Sequence, residues 1–346
     1  MSWKQEKYRT NSRKEDTTGT LVISLDFEMF WGIADLADPN EWVPVMERVY
    51  TVIPKLLELF EEYGIHATWA TVGALMCDDR DEFMERIPKP IAPQTKRTLD
   101  KLGISEQRKT SSDTDDILFA PALVRKISEF AGQEIGTHTF SHYYCDDQSS
   151  TPEQFSAEMK AAQKIATDKG YSFHSAVFPR NQVSENFVEI LEQTQIRCFR
   201  GVERGWISRN RARIGTLGTV LWYLDNYIPL QRTCSYPFPK ESSSGKLMNI
   251  RNSRFFKPYR PQYRFAEIIK LRRYKFEIKT AAKRGEIYHM YWHPHNFAEN
   301  TEINFQQMKE LLTYYEKMRL KYGMKSENMS ELCCHVNEDR PPVKEC

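Results

Sequence analysis

The chain of 346 residues has no apolar run near the roughly 20 residues that a membrane-crossing helix needs, which excludes an integral membrane protein of the helical kind. Its first residues, Met1 to Thr20, are polar and charged. They lack the apolar stretch of a secretory leader, so a cytoplasmic protein is expected. Seven cysteines are scattered with no CxxC spacing, which argues against a zinc ribbon and against a disulfide framework. Cys333, Cys334 and His335 stand close together but lack a fourth ligand. Charge of one sign is also missing. The 49 basic and 47 acidic residues leave +2, which gives no support for a nucleic-acid or membrane-surface partner. There is no internal repeat and no low-complexity segment.

What is present is a globular composition, 40% hydrophobic and 28% charged, in a chain long enough for one large domain with insertions. Leu21 to Phe27 is a short apolar run that reads as a buried strand. From Trp42 to Tyr63, Val45, Val49, Ile53, Leu56, Leu57 and Phe60 recur at helical spacing, and Gly64 stops the helix. Ile65 to Val72 reads as a second strand, completing a β–α–β unit with parallel neighbours. Cys77 to Asp116, rich in charge, Pro, Ser and Thr, reads as an insertion or mobile loop. Alternation then resumes. Helices are predicted over Pro121–Phe130, Pro152–Lys169 with Thr151 as N-cap, Ser184–Glu192, Ala266–Lys283 and Asn304–Lys321. Strands are predicted over Glu134–Thr137, Ser175–Phe178, Ile196–Phe199 and Glu286–Trp292. Such alternation predicts an α/β protein with a parallel sheet or barrel.

Several strands are followed by residues capable of chemistry. Asp26 and Glu28, two apart at the end of the first strand, share one side of it. His138 and His142 follow the third. An i, i+4 spacing puts two imidazoles on one side of a helical turn, close enough to share a metal. Arg180 follows the fourth strand, and its guanidinium suits a carboxylate partner. His293 and His295 follow the last, where a histidine can donate a proton to a leaving amine. Parallel α/β sheets carry their sites at the carboxyl ends of the strands, so these residues are expected to converge.

In order, these segments resemble the polysaccharide deacetylases of the NodB homology type, carbohydrate esterase family 4. Ser24 to Glu28 resembles the family's acidic motif, and Leu56 to Gly73, with His66-Ala67-Thr68-Trp69, its helix–strand segment. Glu134 to His142 resembles its metal motif, Phe178 to Arg180 its arginine motif, and Trp292-His293-Pro294 its terminal histidine motif. The resemblance runs from about Thr20 to about Phe297 and implies a distorted (β/α)7 barrel. It implies a divalent metal, zinc being usual, held by Glu28, His138 and His142. Asp26 is implied as general base, Arg180 as the residue holding Asp26, and His293 as general acid. A backbone N–H near Tyr143 is implied as an oxyanion donor. The expected organisation is a polar arm over 1–19, the barrel over 20–325 with its insertion at about 77–116, and a polar tail over 326–346. The implied activity is removal of an N-acetyl group from a sugar, in free, nucleotide-linked or lipid-linked form, as in O-antigen-like surface polysaccharide synthesis. The Arg-rich stretch Arg197–Arg213 and the insertion suit a phosphorylated substrate. Two other readings share these residues: a hydrolase of another non-peptide C–N bond, and a catalytically inactive carbohydrate-binding barrel. Oligomeric state is left open.

Overall fold

The computed structural model describes residues 18–102, 104, 115–203, 205–207, 213–225, 227, 230–231, 234–238 and 247–338. The first strand, β1 (Thr20–Phe27), is buried along its whole length, as a strand covered on both faces must be. It lies between β2 (Ala67–Thr71) and β9 (Glu286–Trp292), parallel to both. From β2 the sheet continues in parallel through β3 (Gln133–Thr137), β4 (Ser175–Val177), β5 (Cys198–Gly201) and β7 (Met248–Arg251). Among the described residues only the two-residue β6 (Tyr236–Pro237) runs antiparallel, on the far side of β9.

The sheet closes through one segment. β7 bonds to β5, and two residues later β8 (Arg254–Phe255) bonds in parallel to β9. Between them, Asn252 donates its N–H to Gly201 O on one side and Ser253 donates to His289 O on the other. Met248–Phe255 thus acts as one strand shared between two neighbours, and seven parallel strands encircle a distorted (β/α)7 barrel.

Strand parity separates two cores. Leu21, Ile23, Leu25 and Phe27 face outward into the main core under the helices Pro39–Tyr63, Pro152–Asp168, Arg264–Arg284 and Thr301–Tyr322. The opposite positions supply Val22, Ala70, Val177, Cys198, Ile250 and Ile287, which fill the barrel interior. Closer to the carboxyl ends the same parity brings Ser24, Asp26, Arg200 and His289, all buried. The interior is therefore apolar at its floor and polar at its mouth.

Three sequence expectations change. The stretch read as an insertion or mobile loop carries helices Arg80–Arg86, Pro93–Lys101 and Asp115–Leu118, packed through buried Phe83, Leu99 and Leu118. Its charge hides the helical pattern because most charged side chains lie on the outer faces; residues 105–114 lie outside the described residues. The expected loose tail is ordered to Glu338: β10 (Lys325–Ser326) pairs with β1, and helix Met329–Glu338 plugs the amino-terminal end of the barrel with Met329, Leu332 and Cys333. Finally, β5 runs two residues later than predicted, to Gly201, which brings Arg200 into the barrel.

Candidate active site

At the mouth, Asp26 is held by an arginine. Arg200, fully buried on β5, reaches across the barrel with its two terminal nitrogens at 2.5 and 2.7 Å from the Asp26 carboxylate oxygens. This bidentate pairing is the strong, directional kind. The same guanidinium donates to Ser24 Oγ at 3.0 Å and to Asn181 Oδ1 at 3.0 Å, and lies 4.4 Å over the Tyr291 ring. Ser24 Oγ in turn sits 2.8 Å from His289 Nε2. Burial pushes the Asp26 carboxyl upward, but Arg200, with His138 and His293 behind it, outweighs burial and holds it below the usual carboxylate range.

Glu28 follows β1, and its carboxylate faces three histidines. Glu28 Oε2 lies 3.0 Å from His142 Nε2 and 3.4 Å from His138 Nε2, while Oε1 lies 3.4 Å from His293 Nε2. The tautomer of His138 follows from its surroundings. Its Nδ1 lies 2.8 Å from the Val177 carbonyl oxygen and must donate to it, so Nε2 of the neutral ring carries a bare lone pair. That buried Nε2 makes no hydrogen bond and points at a carboxylate oxygen. Two acceptors face each other, so a positive centre belongs between them. Glu28, His138 and His142 bring three ligand atoms within 4.8 Å of one another, and two imidazoles with one carboxylate suit a divalent ion with open positions. The backbone carbonyl behind His138 is the kind of partner that orients a metal-binding imidazole.

The loop after β3 differs from the helical turn that the i, i+4 spacing suggests. Thr139 and His142 both have positive φ, at 64° and 59°. Of the six non-glycine residues at positive φ among the described residues, Met29, Thr139, His142, Arg180 and Asn181 all lie in connections at this mouth. Such backbone costs energy and persists where the surroundings over-determine it. Here the buried Glu158 does so: it accepts from the backbone N–H groups of Phe140 and Ser141 and from Ser141 Oγ.

His293 lies 3.7 Å from Asp26 Oδ2 and is a quarter exposed, so a reacting group could reach it. His295 is stacked on it at 4.9 Å, and loss of hydration together with the nearby His293 pushes its pKa down to about 3. Of the pair, only His293 is placed to hold and release a proton at the mouth.

Two implied roles move. Arg180 does not touch Asp26; it donates to both Asp35 carboxylate oxygens at 2.6 and 2.7 Å and covers the Tyr144 ring at 4.2 Å. Its positive φ of 55° turns it outward from β4, and Arg200 occupies the space beside Asp26. The oxyanion donor near Tyr143 is also engaged. Tyr143 N–H donates to Thr139 Oγ1 at 2.8 Å, and Tyr144 N–H to Gln94 Oε1 at 2.7 Å. Arg200 escaped sequence reasoning because the predicted strand stops one residue short of it. The signal was an arginine two positions beyond Cys198 in an otherwise apolar strand. Beside the cluster of Asp26, Glu28 and the histidines, Asp35, Gln94, Arg97, Tyr144, Arg180 and Gln182 line an open cleft of about 400 Å³, so the helix Pro93–Lys101 forms one wall.

Residues 44–199 match the model of the polysaccharide deacetylase family. That segment holds His138, His142 and Arg180, whereas Asp26, Glu28, Arg200 and His293 lie outside it. No curated protein matches the chain. Solved structures share the fold at low identity. One, from Mycobacterium smegmatis and described as a polysaccharide deacetylase, has 12% identity, covers 96% of this chain and 98% of its own, and gives a TM-score of 0.57. The PuuE allantoinase has 11% identity, coverage of 99% and 100%, and a TM-score of 0.58. A Pseudomonas aeruginosa PAO1 protein, also described as a polysaccharide deacetylase, has 12% identity, coverage of 94% and 93%, and a TM-score of 0.56.

Proposed function

With a polysaccharide deacetylase segment at the centre of its barrel, the chain is, we propose, a metal-dependent hydrolase that removes the acetyl group from an N-acetylated sugar, free or on a nucleotide or lipid carrier. The observation that carries the reading is the lone pair of His138 Nε2, aimed at Glu28 with His142 beside it and Asp26 one strand position away. A divalent metal held by Glu28, His138 and His142, zinc being the usual ion for that donor set, would polarise the acetamide carbonyl and acidify water.

The chain's own groups supply the rest. Arg200 keeps Asp26 ionised and fixes the direction of its lone pairs, so Asp26 takes the proton of the attacking water. His293 faces both acids from the solvent side and protonates the departing nitrogen. The cleft walled by Tyr144, Arg180 and Gln94 is lined largely by polar and charged side chains, which suit a sugar ring.

The test is release of acetate from a panel of N-acetylated sugars by metal-loaded enzyme. Asp26→Asn should lower the rate by about 10²–10⁴. No acetate from any sugar, or an unchanged rate in Asp26→Asn, would overturn the reading; binding without turnover would instead favour a carbohydrate-binding barrel. Cyclic amides in the same panel separate deacetylation from hydrolysis of another non-peptide C–N bond.

A further inference from the structure

The helix Arg264–Arg284 packs one face on the barrel and leaves the other to solvent. Its exposed residues are Arg264, Phe265, Ile268, Ile269, Arg272, Phe276, Lys279, Lys283 and Arg284. Four are large and apolar, with Phe265 77%, Ile268 57% and Phe276 55% exposed. The other five are basic. Neither acid of the helix is on this face: Glu267 is buried beside Lys270 at 2.5 Å, and Glu277 is buried with Arg254 and Arg273. Arg264 lies over the Phe265 ring, and Arg284 reaches Glu286 at 3.9 Å. Arg264, Arg272, Lys279 and Lys283 form no salt bridge among the described residues. On the neighbouring helix, Glu310 is held by Lys275.

The apolar surface continues past this helix. Thr216–Leu224 carries no charge, and Leu217, Val220 and Leu224 are exposed. Tyr263 ties the two helices together through ring contacts with Tyr223 and Tyr227 at 6.1 and 6.2 Å. On its inner side the short helix reaches the mouth: Trp222 lines a crevice with Phe255 and Tyr291, and Phe255 lies 5.7 Å from the His293 ring. The long helix runs against the strands and ends at Gly285, just before β9. Its first turns, with Phe265, Ile268 and Ile269, therefore stand at the mouth end.

We propose that this apolar and basic face docks on an anionic lipid bilayer. A stripe of exposed Phe and Ile inserts at the headgroup boundary, while unpaired Arg and Lys beside it meet phosphate, and the absence of exposed acid on the helix removes repulsion. A second copy of the chain fits poorly, because a two-fold contact would set the cations of one face against those of the other. Docking places the mouth beside the membrane surface, where a lipid-carried sugar would be presented. That consequence rests on the deacetylase reading, but docking itself does not.

Co-sedimentation with vesicles of mixed phosphatidylglycerol and phosphatidylcholine tests it, against vesicles of phosphatidylcholine alone and against high salt. Wild type should bind the mixed vesicles, release in high salt, and ignore the neutral ones. Lys279→Glu and Lys283→Glu should each weaken binding at least roughly fivefold, the share of one basic residue near such a surface. Phe265→Ser with Ile268→Ser should abolish it. Hydrolysis of a soluble N-acetyl sugar should be unchanged in all of these, so loss of docking and loss of activity are read separately. Equal binding to neutral vesicles, binding unaffected by the substitutions, or a dimer in sedimentation velocity that Ile268→Ser breaks apart would each overturn the proposal.

Discussion

The two arginines at the mouth differ in what surrounds them, and that difference sets their energetic weight. Arg200 is wholly buried with a buried partner, whereas Arg180 and Asp35 are each about a third exposed. Removing one member of a buried pair leaves an uncompensated charge, so Arg200→Ala should cost about 3–5 kcal/mol in urea unfolding. Arg180→Ala should cost under about 1 kcal/mol, since water already screens the Arg180 pair. Similar losses from both substitutions would contradict the pairing. Glu158 carries a second expectation. Burial pushes its pKa up to about 7, against the weaker pull of hydrogen bonds from Ser141 and Phe140. The fold thus favours the protonated form. Its contribution to stability should be full below the unfolded pKa near 4.5 and be lost as pH rises through about 7, by about 3 kcal/mol in all. Glu158→Gln keeps the acceptor oxygen and should flatten that pH dependence of the melting temperature. At this scale the sequence showed which residue types were capable of chemistry, because Asp26, Glu28, His138, His142 and His293 each lie at or just past the carboxyl end of a strand. It did not show Arg200, because a pairing across the barrel depends on β5 facing β1 through the interior, which no local pattern encodes.

Among the elements, strands and long helices were legible where burial imposes a period. Pro39–Tyr63 carries its apolar stripe and ends at Gly64 in a left-handed conformation, as the sequence indicates. Thr151 caps its helix by accepting from Gln154 N–H. The elements that were missed take their order from tertiary contacts instead. Helix Met329–Glu338 is short, and its backbone and side chains anchor to the amino ends of three strands: Met329 N–H donates to Thr68 Oγ1, Ser330 N–H to Glu134, and Cys333 Sγ to Arg197 O. Its Leu332 is fully buried in the barrel floor. Leu332→Ala should therefore cost about 2–5 kcal/mol, as a core cavity does, although the segment reads as a tail. A loss under about 0.5 kcal/mol in chemical denaturation would mean the plug is not seated there. The loop after β3 was also misread. The spacing of His138 and His142 is helical, but their convergence comes from two left-handed residues pinned by Glu158.

For the whole molecule, the net charge of +2 conceals how charge is sorted. Acids and bases balance in number, while one long helix turns both its acids inward and most of its bases outward. Composition cannot report that, because it has no sense of direction. The metal expectation also belongs here, since an ion bound only by the folded chain stabilises all of it. At about 100 times its dissociation constant, an ion should add about 2.7 kcal/mol. Chelation should lower the melting temperature of wild type and leave Glu28→Ala where it was. An unchanged wild-type melting curve after chelation would count against the triad as a metal site.

The strand shared by β5 and β9 has a consequence for how the chain is made. Four rungs join it to β5 and two to β9, and β9 itself is made only at Glu286–Trp292. Until then the nascent sheet is a gutter with two raw lips, able to zip onto any extended polypeptide it meets. A ribosome paused in that stretch would hold out an unsealed trough.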